Sequence, residues 1–196
     1  MKLEDHELLA RWRDGDRSAG DGLFDRHFAS VRRFFKHKVT PQDAEDLIQR
    51  TFLGCVRGLP NFRADGTFRA YLFAIARNEL YMHFRRLGAR QGIDTNLSNH
   101  SVIDLRTGPD TAINRATERA LAASAMQRLP VETQNLLELA YWEDLSTEEL
   151  AQIFDVSPVT IRTRKHRARQ ALRGLIDELR GPASAPDIDG VLTPER

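Results

Sequence analysis

Residues 145–173 read LSTEELAQIFDVSPVTIRTRKHRARQALR, and this stretch decides the second half of the fold. Ser146 and Glu149 have the spacing of a capping box, which predicts the start of a short helix. Asp155-Val156-Ser157 then predicts a tight turn, because aspartate tolerates a left-handed backbone better than most residues other than glycine. Pro158 suits the first turn of a second helix. The stretch therefore predicts two helices joined by a tight turn.

The second of these helices is basic on its exposed side. Helices that cross closely need a small side chain at the contact, which Ala151 supplies, and Ile161 is expected to face inward. Early residues of the second helix in such a motif meet base edges in the major groove, whereas later residues such as Arg169 meet the backbone. The candidate contacts with duplex DNA are Ser157, Thr160, Arg162, Thr163, Arg164, Lys165 and Arg167. A solvated helical hairpin with a basic surface is the alternative interpretation.

Helical periodicity also dominates the chain before this motif. Thr40-Pro41-Gln42-Asp43 reads as a helix cap, a proline at the first helical position and an acidic first turn. The helix that follows is expected to end near residues 58–60. A long helix is predicted from about Thr67 to Leu87, with Phe68 and Phe84 in the core. No alternation typical of strands competes with this pattern.

The composition changes after this long helix. Residues 88–109 lose the apolar period and are dominated by Gly, Asn, Ser, Asp and Thr, which predicts a flexible linker. Residues 181–196 are rich in small residues and proline and are expected to be disordered. The predicted fold class is therefore all-α: two small helical domains, residues 1–87 and 110–180, each with its own core, and the second a helix-turn-helix domain.

Composition and motifs exclude several functional classes. The 196 residues carry a net charge of only +1, so any contact with nucleic acid depends on local clusters of basic residues. Cys55 is the only cysteine, which excludes an internal disulfide and a cysteine-rich zinc site and suits a reducing cytosol. No apolar run reaches the roughly 18 residues that a membrane span needs. Nucleotide-binding loops and zinc-type histidine spacings are missing, so we expect no catalytic residue, metal or cofactor.

Aromatic and basic residues interleave between positions 62 and 86. Such a mixture suits the stacking of unpaired bases beside a surface that follows phosphates. A core role is the alternative for each aromatic residue. For Phe62 and Tyr71 the two interpretations are nearly balanced.

Three motifs together resemble the extracytoplasmic-function (ECF) sigma factors, the two-domain group of bacterial sigma factors. Residues 43–52, DAEDLIQRTF, look like the helix with which this family binds core polymerase. Residues 68–78, FRAYLFAIARN, look like the promoter-melting helix. Residues 129–168 look like the second domain, with residues 157–164, SPVTIRTR, as the recognition segment. The motifs follow one another in the family's order.

The resemblance implies partners and a role for each surface. The partners would be core RNA polymerase, through its β′ clamp helices and β flap, promoter DNA and an anti-sigma factor, all met in the cytoplasm without membrane insertion. The core-binding residues would be Asp43, Glu45, Asp46, Leu47, Gln49 and Phe52. The residues for the melted −10 element would be Phe62, Arg63, Tyr71, Arg77, Asn78, Arg85 and Arg86. The helix-turn-helix would read the −35 element as duplex.

The chain departs from the family pattern at four positions. Tyr71 stands where tryptophan is frequent, Met82 where aspartate is frequent, Val159 where glycine is usual and Lys165 where an apolar residue is usual. These changes suggest an unusual promoter sequence. The alternatives are a sigma-like regulator or adaptor that has lost promoter melting, and a DNA-binding regulator that uses only its second domain.

Overall fold

The computed structural model describes residues 3–62, 66–91, 101 and 118–180. Within these ranges the regular structure is helical, apart from an isolated bridge between Ser101 and Pro130. The helices of this described part are α1 (Asp5–Arg13), α2 (Arg17–Lys36), α3 (Pro41–Gly58), a 3-10 turn (Leu59–Asn61), α4 (Phe68–Gln91), α5 (Glu118–Arg128), α6 (Val131–Tyr141), α7 (Thr147–Phe154) and α8 (Pro158–Arg180). The predicted all-α fold class is confirmed.

The start and end of α3 follow from its sequence. The Thr40 hydroxyl accepts a hydrogen bond from the Asp43 amide at 3.2 Å, and Pro41 occupies the first helical position. The cap satisfies an amide that would otherwise have no partner inside the helix. Gly58 is the last residue of α3, so the predicted stop near residues 58–60 is confirmed.

α4 continues beyond its predicted end. The sequence pattern placed the end at Leu87, whereas the helix reaches Gln91. Gly88 is buried, so packing holds the helix through a residue with poor helix propensity. Residues 88–91, which were predicted to belong to the linker, are therefore part of α4. Residues 92–100 and 102–109 of the predicted linker lie outside the described ranges, as do residues 110–117 and 181–196.

The first four helices enclose an aromatic core. α3 packs against both α2 and α4, and α1 covers α2. Phe35 and Phe73 are fully buried, and the rings of Phe34 and Phe73 meet edge to face with their centroids 5.8 Å apart. Phe68 and Phe84 are also buried, as the sequence predicted. This core fixes which face of α4 is left for other contacts.

The second half of the chain does not have a fully separate core. Ala125, Leu129, Leu137 and Leu172 form a small cluster between α5, α6 and α8. The helix-turn-helix residues Leu150, Phe154 and Ile161, however, belong to the same apolar cluster as the first four helices. The expectation of two independent cores is therefore wrong. Its physical reason is that α7 packs directly on α4 and buries its apolar face there.

A buried ion pair lies where the two halves meet. The ammonium of Lys38, which follows α2, contacts the carboxylate of Glu138 on α6 and also donates to the Phe34 carbonyl. Gln134 supports the carboxylate by donating to its other oxygen at 2.9 Å. Burial lowers the pKa of Lys38 below its ordinary value, and the charge of Glu138 opposes that effect. Each charge therefore depends on the other half of the chain.

The helix-turn-helix has the predicted cap and turn. The Ser146 hydroxyl accepts from the Glu149 amide at 3.1 Å, and the Glu149 carboxylate accepts from the Ser146 amide at 2.8 Å. Asp155 adopts the left-handed conformation, with φ of +53° and ψ of +51°. Ala151 and Ile161 are buried, as expected for the two contacts between these helices.

The left-handed backbone at Asp155 predicts a stability order of Gly above Asp above Ala at this position. Asp155→Gly should raise the free energy of unfolding by about 0.5–1 kcal/mol, because glycine has no Cβ to clash there. Asp155→Ala should lower that free energy, because alanine tolerates this conformation less well than aspartate. Urea unfolding of the full chain measures all three. Equal stability of the Gly and Ala variants would contradict a left-handed backbone at position 155.

Candidate nucleic-acid interface

α8 forms one wall of a basic cleft that reaches the ring of Tyr141. The spacing of three to four residues places its basic side chains on one face of the helix. Lys165 holds its ammonium 5.3 Å from the centre of the Tyr141 ring. The lining residues are Tyr141, Arg162, Lys165, His166, Arg169, Gln170 and Arg173. Such a concentration of positive charge suits the phosphate backbone of duplex DNA.

A second side of α8 turns towards α6. There Arg164 places a guanidinium nitrogen 3.2 Å from the Glu132 carboxylate, and Arg167 borders the same groove. The sequence treated positions 157–167 as one reading surface. The structure divides the surface: Arg162 and Lys165 line the basic cleft, whereas Arg164 and Arg167 lie on the α6 side.

The polar residues at the start of α8 are engaged in local hydrogen bonds. The Ser157 hydroxyl accepts from the Thr160 amide at 3.2 Å and caps the helix. Thr163 is exposed and its hydroxyl donates to the Val159 carbonyl at 3.2 Å. Val159, at the family-atypical position, is 65% exposed. An apolar side chain is therefore exposed in the first turn of α8.

His166 and Arg173 join the basic cleft although they were not among the predicted contacts. The signal that identifies them is the helical period from Arg162, which reaches Arg169 and Arg173 at intervals of seven and four residues. The list of predicted duplex contacts ended at Arg167, and Arg169 was the one later residue predicted to meet the DNA backbone.

Phe62 and Tyr71 form a partly exposed aromatic pair. Their ring centroids are 4.8 Å apart, and the Tyr71 hydroxyl donates to the Cys55 carbonyl at 3.2 Å. Burial raises the pKa of Tyr71 to about 12 and that of the fully buried Cys55 thiol to about 12. The neighbouring Arg63 lies outside the described residues. The pair presents ring surface without belonging wholly to the core.

α4 exposes three of the four remaining residues predicted to meet the −10 element. Asn78, Arg85 and Arg86 are on its surface. Arg77 is not: its side chain is 13% exposed, 3.3 Å from Glu132, and its guanidinium carbon lies 4.9 Å from the centre of the Phe154 ring. The prediction of an open DNA contact at Arg77 is therefore wrong for this arrangement, because α6 and α7 cover it.

The acidic face of α3 is exposed as predicted for a protein contact. Glu45, Asp46 and Gln49 are accessible, and Asp46 pairs with Arg50 at 2.8 Å. Asp43 is half-buried and accepts from the Thr40 hydroxyl at 2.6 Å. Leu47 is only 2% exposed. Including Leu47 among direct contacts is therefore a mistake, because its side chain belongs to the core of the first four helices.

Beside this acidic face lies an apolar groove between α2 and α3. The rings of Phe28 and Phe52 stack at 6.2 Å, and Phe28, Leu53 and Val56 are each more than 40% exposed. Asp25 and Glu45 stand at its edge. Of these residues only Glu45 and Phe52 were predicted. Leu53 and Val56 could have been found, because they are apolar residues on α3 outside its buried stripe.

The described residues offer neither a metal site nor a membrane-spanning helix. No three His, Cys, Asp or Glu side chains lie close enough together to hold a metal ion. No described helix combines the length and the apolar character that crossing a bilayer requires.

The sequence matches two family models in the order of the two halves. Residues 23–90 match sigma-70 region 2, and residues 119–172 match sigma-70 region 4. The RNA polymerase sigma-H factor of Pseudomonas aeruginosa is 29% identical, over 86% of this chain and 92% of that protein. The ECF RNA polymerase sigma-E factor of Haemophilus influenzae is 27% identical, over 91% of this chain and 98% of that protein.

Solved structures share the fold. CnrH, in complex with the cytosolic domain of CnrY, superposes with a TM-score of 0.64 at 24% identity, covering 89% of this chain and 97% of that one. The sigma factor RpoE from Bartonella quintana, in complex with the anti-sigma factor NepR, gives 0.59 at 23% identity, covering 80% and 95%. With both regions matched over more than half of its length, the chain belongs to the extracytoplasmic-function sigma factors of bacterial RNA polymerase.

Proposed function

We propose that this sigma factor directs core RNA polymerase to its promoters through three separate surfaces of the chain. The observation that carries the proposal is the basic cleft of α8, which follows a capped helix-turn-helix and concentrates four cationic side chains, Arg162, Lys165, Arg169 and Arg173, on one helix face. Duplex binding needs a phosphate-compatible surface beside side chains that reach base edges. The start of α8 supplies the base contacts, and its later turns supply the phosphate contacts.

The melted −10 strand is assigned to α4 and the aromatic pair. Asn78 offers a side-chain amide that can donate to and accept from the edge of an unpaired base. Arg85 and Arg86 follow two turns later on the exposed surface and suit the strand's phosphates. Phe62 and Tyr71 supply ring surface for stacking.

Core polymerase is assigned to α3 and the apolar groove. The acidic residues Glu45 and Asp46 suit a basic coiled coil such as the β′ clamp helices. The exposed apolar side chains Phe28, Leu53 and Val56 add contact area that would exclude water. Acidic residues beside an apolar floor favour a helical partner with both basic and apolar side chains.

An anti-sigma factor is a further proposed partner. The structural relative RpoE was solved with the anti-sigma factor NepR, and the present chain shares its fold. We place these interactions, including contact of the second domain with the β flap, in the cytoplasm, where bacterial polymerase works. The adaptor alternative, which keeps polymerase binding but lacks promoter melting, is tested by the second prediction below.

Of the three functional predictions, the first separates a base contact from a phosphate contact in the basic cleft. Arg162→Ala should change which base is preferred at one position of the −35 element, with a loss of about 1–3 kcal/mol for the preferred base. Arg169→Ala should weaken all sequences alike and lower the salt slope by about one unit. Binding of reconstituted holoenzyme to singly substituted duplexes at several salt concentrations measures both. An even loss of affinity for Arg162→Ala would contradict the assignment.

The second prediction concerns promoter melting. Asn78→Ala should reduce open-complex formation by about 1–3 kcal/mol, since it removes an amide that pairs with an unpaired base. Binding to the −35 duplex should be unchanged. Glu79→Gln, at the next residue of α4, is the control and should form open complexes as the wild type does. The Glu79 charge interacts with Arg50 on α3. Open-complex formation equal to wild type would show that Asn78 makes no base contact, and its absence in the wild-type holoenzyme would favour the adaptor alternative.

The third prediction concerns polymerase binding. Asp46→Arg with Gln49→Ala should reduce assembly with core enzyme about tenfold or more, because a repulsive charge replaces an attractive one at the β′ contact. Both side chains are exposed, so the fold should be retained. Competition for core enzyme with a labelled wild-type chain measures the effect. Asp14→Arg, an exposed change of the same kind at the end of α1, should assemble normally. Normal assembly of the double variant would remove α3 from the interface.

A further inference from the structure

Val159 is the most exposed of the large apolar side chains in the described part of the chain, at 65%. The next most exposed are Phe28 and Val56, at 48% each, and both line the apolar groove between α2 and α3. Val159 lies far along the chain from that groove, in the first turn of α8. It therefore stands alone, on the helix to which duplex DNA is assigned.

The folded chain gains little from a valine at this position. Its side chain is largely in water, so it adds little apolar burial to the core. Valine is also a weaker helix former than alanine, because its branched Cβ restricts the side chain against the preceding turn. Folding therefore does not explain why position 159 carries an apolar side chain.

Val159 begins a stripe of exposed side chains along one face of α8. Residues three and four positions apart lie on the same side of a helix. The next members of this stripe are Arg162, Thr163 and His166, and all of them are exposed. Ile161, on the other side of the helix, is fully buried. The face that carries Arg162, the base contact proposed above, thus starts with an apolar group.

The hydroxyl groups around Val159 are engaged within the protein. The Ser157 hydroxyl accepts from the Thr160 amide at 3.2 Å and lies 2.9 Å from the Thr160 hydroxyl. The Thr163 hydroxyl donates to the Val159 carbonyl at 3.2 Å. Such bonds hold short polar side chains against the backbone of the first turn. The start of α8 therefore presents an apolar surface at Val159 next to the guanidinium of Arg162.

An apolar side chain in the major groove has one natural target. Thymine presents its C5-methyl group there, and apolar contact recognises it, whereas a guanidinium recognises O6 and N7 of guanine. Val159 and Arg162 are three residues apart, which is about 4.5 Å along a helix axis. Stacked bases are about 3.4 Å apart. Two side chains with this spacing can therefore reach neighbouring base pairs of one site.

We propose that Val159 is a specificity-determining residue that contacts the C5-methyl group of a thymine in the −35 element, within about two base pairs of the base read by Arg162. The inference rests on the proposed function, because it requires that the start of α8 enters the major groove. The contact removes the thymine methyl group and the Val159 side chain from water. Promoter choice then depends on a methyl group as well as on hydrogen bonds.

Deoxyuridine tests the proposal on the unaltered protein, because it lacks only the C5-methyl group of thymine. Reconstituted holoenzyme first selects its preferred −35 sequence from unmethylated duplexes randomised across the element. Each thymine of that sequence is then replaced singly by deoxyuridine. One replacement, close to the position whose preference Arg162→Ala changes, should weaken binding about fourfold, the effect expected for one buried methyl group.

Protein variants identify the side chain that contacts the methyl group. In Val159→Ala the same deoxyuridine replacement should lose most of its effect, so the cycle of the two changes isolates the contact. Alanine is the better helix former, so this variant should fold, which circular dichroism checks. Thr163→Ser is the matched control. It removes a methyl group from the next turn of the same stripe, keeps the hydroxyl, and should retain the deoxyuridine effect.

The possible failures separate this inference from the function on which it rests. Deoxyuridine without effect near the Arg162 position, or a selected sequence with no thymine there, would overturn methyl recognition. A deoxyuridine effect that persists in Val159→Ala would assign the methyl contact to another residue and also overturn it. A changed base preference in Arg162→Ala would leave the proposed function standing in each of these cases. If wild-type holoenzyme selects no −35 sequence at all, the proposed function and this inference fail together.

Discussion

The contact between the Lys38 ammonium and the Glu138 carboxylate fixes how the two halves of this sigma factor meet. Neither charge is stable alone in a buried site, since removing one partner of such a pair costs several kcal/mol. Lys38 follows α2 and Glu138 lies within α6, so their pairing sets α6 against the first domain. α7 consequently packs against α4, and the helix-turn-helix shares an apolar core with the first domain, to which the −10 surface is assigned.

Features that depend on neighbouring residues could be predicted from the sequence. The caps at Thr40 and Ser146 and the left-handed turn at Asp155 follow from short-range chemistry, and each is confirmed. The inward direction of Ile161 follows from helical periodicity in the same way. The same periodicity would have separated Arg164 from Arg162, had it been applied to the charged residues as it was to the apolar ones. Helical periodicity would also have placed Leu47 in the core, so the direct polymerase contact assigned to it fails.

Features that depend on distant residues could not be predicted. Glu132 and Glu138 look like ordinary acidic residues of a helix, and nothing near them in the sequence identifies their partners. Lys38 and Glu138 are 100 positions apart, and Arg77 and Glu132 are 55 apart. A single sequence contains no signal for such pairs, so Arg77 was assigned to an open surface. Burial by another domain, rather than any local property of α4, decides its environment.

The location of Cys55 limits the chemistry by which this sigma factor can respond to its surroundings. It is the only thiol in the chain, it is fully buried in α3, and its raised pKa keeps it protonated at cellular pH. Peroxides and disulfides react with an accessible thiolate, which this site does not provide. Oxidants therefore meet no reactive cysteine on the folded chain, and a thiol-based oxidative signal would reach promoter selection through a second protein that carries its own reactive thiol.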